Sequence, residues 1–428
     1  MMKNIIRYLL ERNVRAYLKK HQPLLVLVTG SVGKTSTKHA LATVLSEKYR
    51  VRSHVGNYNT HYSVPTAIMG VDYPEDAHSI AQWRMTLSAM KLRIKQPKDV
   101  DVIVQELGTD RPGDIVQFGK YLTADVAVVT AVSEEHMEYF ETLDTVAWEE
   151  LSVARFSKLT VVNRDDISEE YAQYADTHMI DTYGLGEKAE YRLVVEPANP
   201  LDGRIGRLMT PEWGEVPLTL QLIGDHSLKA AVAAACVGAK LGLTSQQVAV
   251  GVSKIKPSPG RMQVLRGLNE STIIDDTYNA SPLAVAAALH TLSSIDAPQR
   301  IAVLGSMNEL GKVSAQAHEK VGLACDPSKL EWVVTIGEEA EKYLAPAALK
   351  KGCQVKSFKD PYSAGGFVHS VMKKGAVVLF KGSQNGVFAE EAVKVLLHST
   401  DDEEKLVRQS PFWLDQKEMQ FERPVSED

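Results

Sequence analysis

The sequence predicts an α/β protein: a phosphate-loop central domain on a mostly parallel sheet, followed by a second, Rossmann-like α/β domain. Three observations carry this. The first is the stretch 24–37, LLVLVTGSVGKTST, in which apolar β-formers run into a Gly-Ser-Val-Gly turn and Lys34, Thr35 and Ser36 open a helical pattern. The second is the recurrence of short apolar strands at 101–107, 125–130 and 159–163, and again at 271–275, 301–304, 332–336 and 376–380, with helical segments between them. The third is Lys256-Pro-Ser-Pro-Gly260, where two prolines and a glycine in five residues stop both helix and ladder. A domain boundary is expected there, dividing the chain into an N-terminal helix (1–22), a central domain (23–256), a C-terminal domain (257–400) and a tail (401–428).

Strand, tight turn and helix start, in that order, make a phosphate site. Backbone N–H groups and the helix dipole face an anion, Lys34 supplies charge, and Thr35 offers a hydroxyl to Mg²⁺. Val28 stands where a full Walker A pattern has its first glycine. A nucleoside triphosphate is therefore the expected ligand, with Thr29, Gly30, Ser31, Val32, Gly33, Lys34, Thr35 and Ser36 around it. The loop 56–65, GNYNTHYSVP, is rich in turn formers and adds Asn57 and Asn59 as polar groups able to face a nucleotide. Strand 101–107 ends in Glu106, and Glu134, Glu135 and His136 follow strand 125–130. Groups just past the carboxyl ends of parallel strands sit where open α/β sheets bind ligands, which makes Glu106 and His136 candidate Mg²⁺ ligands.

The other segments follow in order. Helices are expected at 38–49, 79–94 and 145–156, short β-runs forming a small antiparallel patch at 182–221, and an alanine-rich helix at 222–241 beginning near His226. Beyond the linker, helices are expected at 283–292 and 387–397; the acidic tail from Thr400 carries no functional reading.

Composition sets limits. The 428 residues suffice for two or three domains, and 48 basic against 54 acidic residues give a net charge of −6, which argues against general nucleic-acid affinity. Cys236, Cys325 and Cys353 are too few and too far apart for a disulfide framework or a zinc site, which fits a reducing cytoplasm. No apolar run reaches the length of a membrane span. Residues 1–22 pattern as a basic amphipathic helix. Its expected place is against the following domain, with peripheral membrane contact through residues 1–20 as the alternative.

Several separated segments together resemble the Mur ligase family. Thr29–Thr35 is similar to the family's ATP loop, Gly56-Asn-Tyr-Asn59 with Pro65 to its second loop, and Gln105-Glu-Leu-Gly108 with Arg111-Pro-Gly-Asp-Ile115 to its metal-bearing strand end. Glu135-His-Met-Glu-Tyr-Phe140 resembles its histidine segment. Past the linker, Gly260-Arg-Met262, the 275–282 run DDTYNASP, the 305–311 run GSMNELG and Lys381-Gly-Ser383 fall in the family's order. The resemblance implies an ATP- and Mg²⁺-dependent, ADP-forming ligase: a substrate carboxylate is phosphorylated to an acyl phosphate, an amine attacks, and an amide forms. It further implies that Lys34 holds the β- and γ-phosphates, that Thr35 and Glu106 bind one Mg²⁺ and His136 helps with a second. Asn279 and Tyr278 would contact adenine, Asp276 the ribose, and Arg261 the phosphates.

Departures are as informative. Fourteen residues after His136, many relatives carry a lysine that is carbamylated; here Glu150 supplies the negative oxygens directly and is read as a substitute metal ligand. Gln384 replaces an arginine, removing a bidentate carboxylate partner. Only residues 1–23 precede the ATP loop, where relatives acting on UDP-sugar peptides have a folded domain, so the expectation is that a partner protein supplies UDP-sugar recognition or that the acceptor is held by the two domains themselves. The leading reading is a ligase adding an amino acid or dipeptide to a peptidoglycan-type precursor. The alternatives are a ligase extending folate or poly-γ-glutamate and a non-catalytic ATP-binding scaffold.

Overall fold

A computed structural model describes residues 2–56, 58–175 and 179–421, with only the backbone of Met2. Its first sheet contains β1 (Leu24–Thr29), β2 (Val51–Ser53), β3 (Val102–Glu106), β4 (Ala124–Val129), β5 (Ser157–Asn163), β6 (Ile180–Gly184), β7 (Tyr191–Val195), β8 (Arg204–Thr210) and β9 (Gly214–Leu220). The order is β2-β3-β1-β4-β5-β6-β7-β8-β9, parallel from β2 to β7 and antiparallel thereafter. β1, β3 and β4 are buried almost throughout, the pattern of strands covered on both faces by helices. With β1 lying between β3 and β4, their carboxyl ends form a topological switch point, and a crevice opens outside it.

The small antiparallel patch expected at 182–221 is formed by β7 to β9, and it is continuous with the main sheet. β6 pairs in parallel with β5, so the main sheet simply continues, and only β7 to β9 fold back on themselves. β8 and β9 alternate buried and exposed residues. Leu208, Val216 and Leu218 pack into the same core as the alanine-rich helix Asp225–Lys240, whose small side chains allow close approach.

Several helix limits also shift. The helix after the phosphate loop spans Lys34–Leu45: it opens at Lys34, where Gly33 turns the chain directly into its first turn and where the helical pattern begins, and it ends four residues before the expected limit at 49. The 56–65 loop ends early, since Ser63–Met69 is helical; Pro65 sits in the first turn, where a missing N–H costs nothing. The 145–156 helix is an α-helix at Leu143–Leu151 that tightens to 3₁₀ geometry over Ser152–Phe156. The helix expected at 387–397 shrinks to Glu390–Lys394.

On one face of the first sheet, Leu10, Val14 and Tyr17 of the N-terminal helix Met2–His21 are at most 1% exposed, within the core that contains Ile68, Trp83 and Met90. Burying each is worth roughly 1.5–3 kcal/mol, enough to dock the helix on the domain.

The second sheet has the order β10-β11-β15-β12-β13-β14: β10 (Gln263–Arg266), β11 (Thr272–Asp276), β12 (Arg300–Gly305), β13 (Trp332–Ile336), β14 (Val355–Phe358) and β15 (Val377–Lys381). All pairs are parallel except β10 with β11. The tail packs onto this lobe. In helix Pro411–Phe421, the Lys417 ammonium is 1% exposed and lies 2.9 Å from Glu390 and 2.7 Å from Glu391.

Candidate functional site

The Gly30–Gly33 turn is shaped by its neighbours. Gly30 has φ 123°, and a Cβ there would lie 2.1 Å from Thr130 Oγ1 and 2.8 Å from the Ala131 nitrogen, so no side chain fits. Gly33 caps the helix in the left-handed region, at φ 89°, with no side chain accepting from the first turn. The free N–H groups at Lys34, Thr35 and Ser36 therefore point toward an anion's position. Behind the turn, the Val32 carbonyl accepts from Thr130 Oγ1 at 2.6 Å, the Ser31 N–H donates to the Ala131 carbonyl at 3.0 Å, and Thr29 Oγ1 donates to the Glu150 carbonyl at 3.1 Å.

A set of carboxylates surrounds Lys34. Its ammonium donates to the Gly30 carbonyl and lies 3.5 Å from Glu135. Burial opposes its charge, but Glu135, Glu150 and Glu106 outweigh burial and hold its pKa above the ordinary lysine value. Glu106, 3% exposed, accepts from Thr35 Oγ1 at 3.0 Å and from Asn59 Nδ2 at 3.2 Å. Glu150 is 1% exposed and takes the Gly30 N–H at 2.6 Å on Oε2; burial, opposed by Lys34 and aided by Glu135, pushes its pKa up to about 7. Its carboxylate braces the phosphate loop from behind and does not line the cleft.

The second lobe closes the cleft, whose volume is about 350 Å³. Arg261 Nη2 donates to Thr35 Oγ1 at 3.3 Å, and its guanidinium lies 4.1 Å from the centre of the Tyr278 ring. Asp276 accepts from Lys381 Nζ at 2.6 Å and from the Met262 N–H at 3.2 Å; Lys381 also donates to the Asn279 carbonyl. His136 Nδ1 is 3.1 Å from Glu309 of the second lobe, and its Nε2 is 3.6 Å from Glu135. Burial would lower the imidazole pKa, but these carboxylates outweigh it and raise it. Lys34, Thr35, Ser36, Asn59, Glu106, His136, Arg261, Asp276, Tyr278 and Asn279 thus share one cleft, with Thr29, Gly30 and Glu150 behind it. Asn57 lies outside the described residues.

Three participants escaped the sequence reading. Lys38, 2% exposed, has its ammonium 3.5 Å from Glu106; its signal was available, since it lies four residues after Lys34 on the same helical face. Glu309 lies in the 305–311 run that resembles the family, but only the meeting of the lobes brings it to His136. Arg408 comes from the unread tail: it pairs with Glu390 at 2.6 Å and donates to the carbonyls of Thr277 at 2.7 Å and Tyr278 at 3.0 Å.

Thr35 and Glu106 fit Mg²⁺, a hard cation that takes a hydroxyl and one or two carboxylates and fills its shell with water and phosphate oxygens. Among the described residues, no three His, Cys, Asp or Glu side chains gather into a dedicated cage. A zinc-like site is not what this donor set builds.

Asp275 immediately precedes the cleft-lining segment that begins at Asp276. It is fully buried, Oδ1 accepts from the Thr277 N–H and hydroxyl, and Oδ2 has no partner; burial pushes its pKa up to about 6. A carboxyl raised in the folded state favours folding while protonated, so its contribution is fully present below the unfolded value near 4 and lost as pH rises through 6. Asp275→Asn should remove that pH dependence, on the order of 2–3 kcal/mol between pH 4 and 7, as read from urea midpoints across the range.

The Mur ligase middle domain matches residues 28–238, and the Mur ligase glutamate ligase domain matches residues 260–384. The UDP-N-acetylmuramoyl-tripeptide–D-alanyl-D-alanine ligase of Bacillus subtilis is 28% identical over 393 residues, covering 91% of this chain and 79% of that protein. MurF from Thermotoga maritima, solved in complex with ADP, superposes with a TM-score of 0.75 at 27% identity, over 91% of this chain and 83% of that one. Folylpolyglutamate synthase from Mycobacterium tuberculosis shares the fold alone, with a TM-score of 0.63 at 18% identity, over 90% of this chain and 94% of that one. Matched in order through both its middle and its C-terminal domain, the chain belongs to the Mur ligase family.

Proposed function

We propose that this protein is an ATP- and Mg²⁺-dependent, ADP-forming ligase that joins an amino acid or dipeptide to a carboxylate of a peptidoglycan-type precursor. One observation carries the reading: Lys34, Thr35 and Glu106 of one lobe face Arg261, Asp276 and Lys381 of the other across a single cleft. We take 23–256 and 257–400 as the two domains and the cytoplasm as the compartment, which suits three buried free thiols.

In this reading the free N–H groups at the start of helix Lys34–Leu45 orient the phosphates, and the Lys34 ammonium neutralises charge on the transferred phosphoryl group. Bound Mg²⁺ would add a Lewis acid at the phosphate oxygens, held by Thr35 and Glu106. Arg261 reaches Thr35 from the second lobe, so phosphate contacts are complete only when the lobes meet. Carboxylate oxygen attacks the γ-phosphorus and ADP leaves; the amine then attacks the acyl carbon and phosphate leaves. Positioning and charge neutralisation suffice for both steps.

The test is ADP release with UDP-N-acetylmuramoyl-tripeptide and D-alanyl-D-alanine, with the ligated product identified by mass spectrometry. ADP release only with glutamate and a folyl or glutamyl acceptor would replace this substrate class. Glu150 enters as the counterpart of the carbamylated lysine. Supporting that role are its burial and its position among Lys34, Glu135 and the Gly30 N–H. Glu150→Gln should raise the Mg²⁺ concentration for half-maximal ADP release by about tenfold or more, the loss expected when a carboxyl group supporting a metal site from outside its ligand shell is removed. An unchanged Mg²⁺ profile would leave Glu150 with the loop-bracing role only.

A further inference from the structure

Helices Met2–His21 and Ile80–Lys95 lie against each other on one face of the first sheet, sharing the core of Leu10, Val14, Tyr17, Trp83 and Met90. Lys20 Nζ and the His21 ring reach the Ile94 carbonyl at 2.7 and 3.2 Å, bringing the two carboxyl ends together. Their outer faces therefore belong to one layer of the surface.

That layer carries an unusual charge. Residues 1–22 and 79–98 hold eleven Lys and Arg and a single acidic residue, Glu11, in a chain whose net charge is −6. The rest of the protein is correspondingly more acidic. Arg7 pairs with Glu11 and Arg93 with Asp99, but Lys3, Arg12, Lys19, Arg84, Lys91, Lys95 and others are exposed. The nearest acidic residues after the second helix, Asp99 and Asp101, are paired with Arg52 and Arg93 and with Arg50, and Asp72, Glu75 and Asp76 belong to the loop before it. Large apolar side chains stand among the cations: Ile5 is 54% exposed, Tyr8 57%, Met85 71% and Leu92 61%.

We propose that this two-helix face docks on the surface of an anionic lipid bilayer. Cations spaced along the helices match lipid phosphates, and the exposed apolar side chains match the headgroup–acyl boundary, a combination that a nucleic acid would not need. The attachment is peripheral: among the described residues no helix is long and apolar enough to cross a membrane. The cleft opens at the carboxyl ends of β1, β3 and β4, whereas these helices cover a face of the sheet, so docking leaves the cleft free. This inference does not depend on the ligase reading.

The experiment is sedimentation of the full chain with vesicles of phosphatidylcholine alone or with 30% phosphatidylglycerol, an amount of roughly the order that gives a strongly negative surface. Binding is expected to the anionic vesicles at low salt, not to the neutral ones, and to fall at least about tenfold when salt shortens the screening length from roughly 10 to a few ångströms. Each cation removed should weaken binding about fivefold, so K3Q/R12Q/K19Q should lose roughly a hundredfold and R84Q/K91Q roughly twentyfold, with unchanged circular dichroism. M85S/L92S should lower the binding that persists at high salt. Equal binding to both vesicle types, or no loss in the charge variants, overturns the proposal. So does a loss confined to the first helix, or tighter capture of a single-stranded oligonucleotide that the same variants abolish.

Discussion

Lys34→Ala should lower ADP release by roughly a thousandfold or more, the scale expected when a preorganised charge aimed at a transferring phosphoryl group is removed. The surroundings explain the size. Glu106, Glu135 and Glu150 all raise the Lys34 pKa, so its ammonium is the common counter-charge of three carboxylates, two of them buried. Without it, bound nucleotide would add phosphate charge to a cluster that already repels anions. Lys38 cannot stand in, because its ammonium is occupied by Glu106 and the Gly56 carbonyl, and burial lowers its pKa. Lys34→Arg should rescue poorly: the buried slot beside Gly30 accepts a point charge, not a planar fork. The check is steady-state ADP release together with nucleotide binding by calorimetry. Retention of ATP by Lys34→Ala at wild-type affinity would refute the phosphate role.

How much of this could be read from the residues depends on the distance over which each feature acts. The phosphate loop was legible because strand, glycine turn, lysine and helix start are contiguous, and local chemistry fixes them. Glu106 and His136 were legible because they end or follow apolar strands, where parallel sheets expose their carboxyl edges. The extension of the sheet through β6 to β9 was not legible, since parallel pairing of β5 with β6 depends on a partner twenty residues away rather than on a local turn. The short helix Glu390–Lys394 misled the periodic reading because Glu390 and Glu391, ordinarily surface residues, are buried here against partners in the tail. The contact of His136 with Glu309 arises only when the lobes close, and no window of sequence contains it.

The tail gives the second large effect. Arg408→Met should cost about 3–5 kcal/mol of stability and raise the KM for ATP about tenfold, while the KM for the incoming amine stays within a factor of two. The guanidinium is 7% exposed and binds Glu390, itself fully buried, through both Nε and Nη2. Its removal leaves that carboxylate with Lys417 as its remaining buried cation, 2.9 Å away. It also strips the donors from the Thr277 and Tyr278 carbonyls, and these residues sit between Asp276 and Asn279, so the backbone carrying the proposed ribose and adenine contacts loses its brace. Arg408→Lys should recover part of the stability but little of the ATP affinity, because one ammonium cannot reach Glu390 and both carbonyls together. Urea midpoints and initial rates at varied ATP separate the two effects. A fall in stability with an unmoved ATP KM would make Arg408 a packing residue alone, whereas a joint change makes the far end of the chain part of how the nucleotide is held.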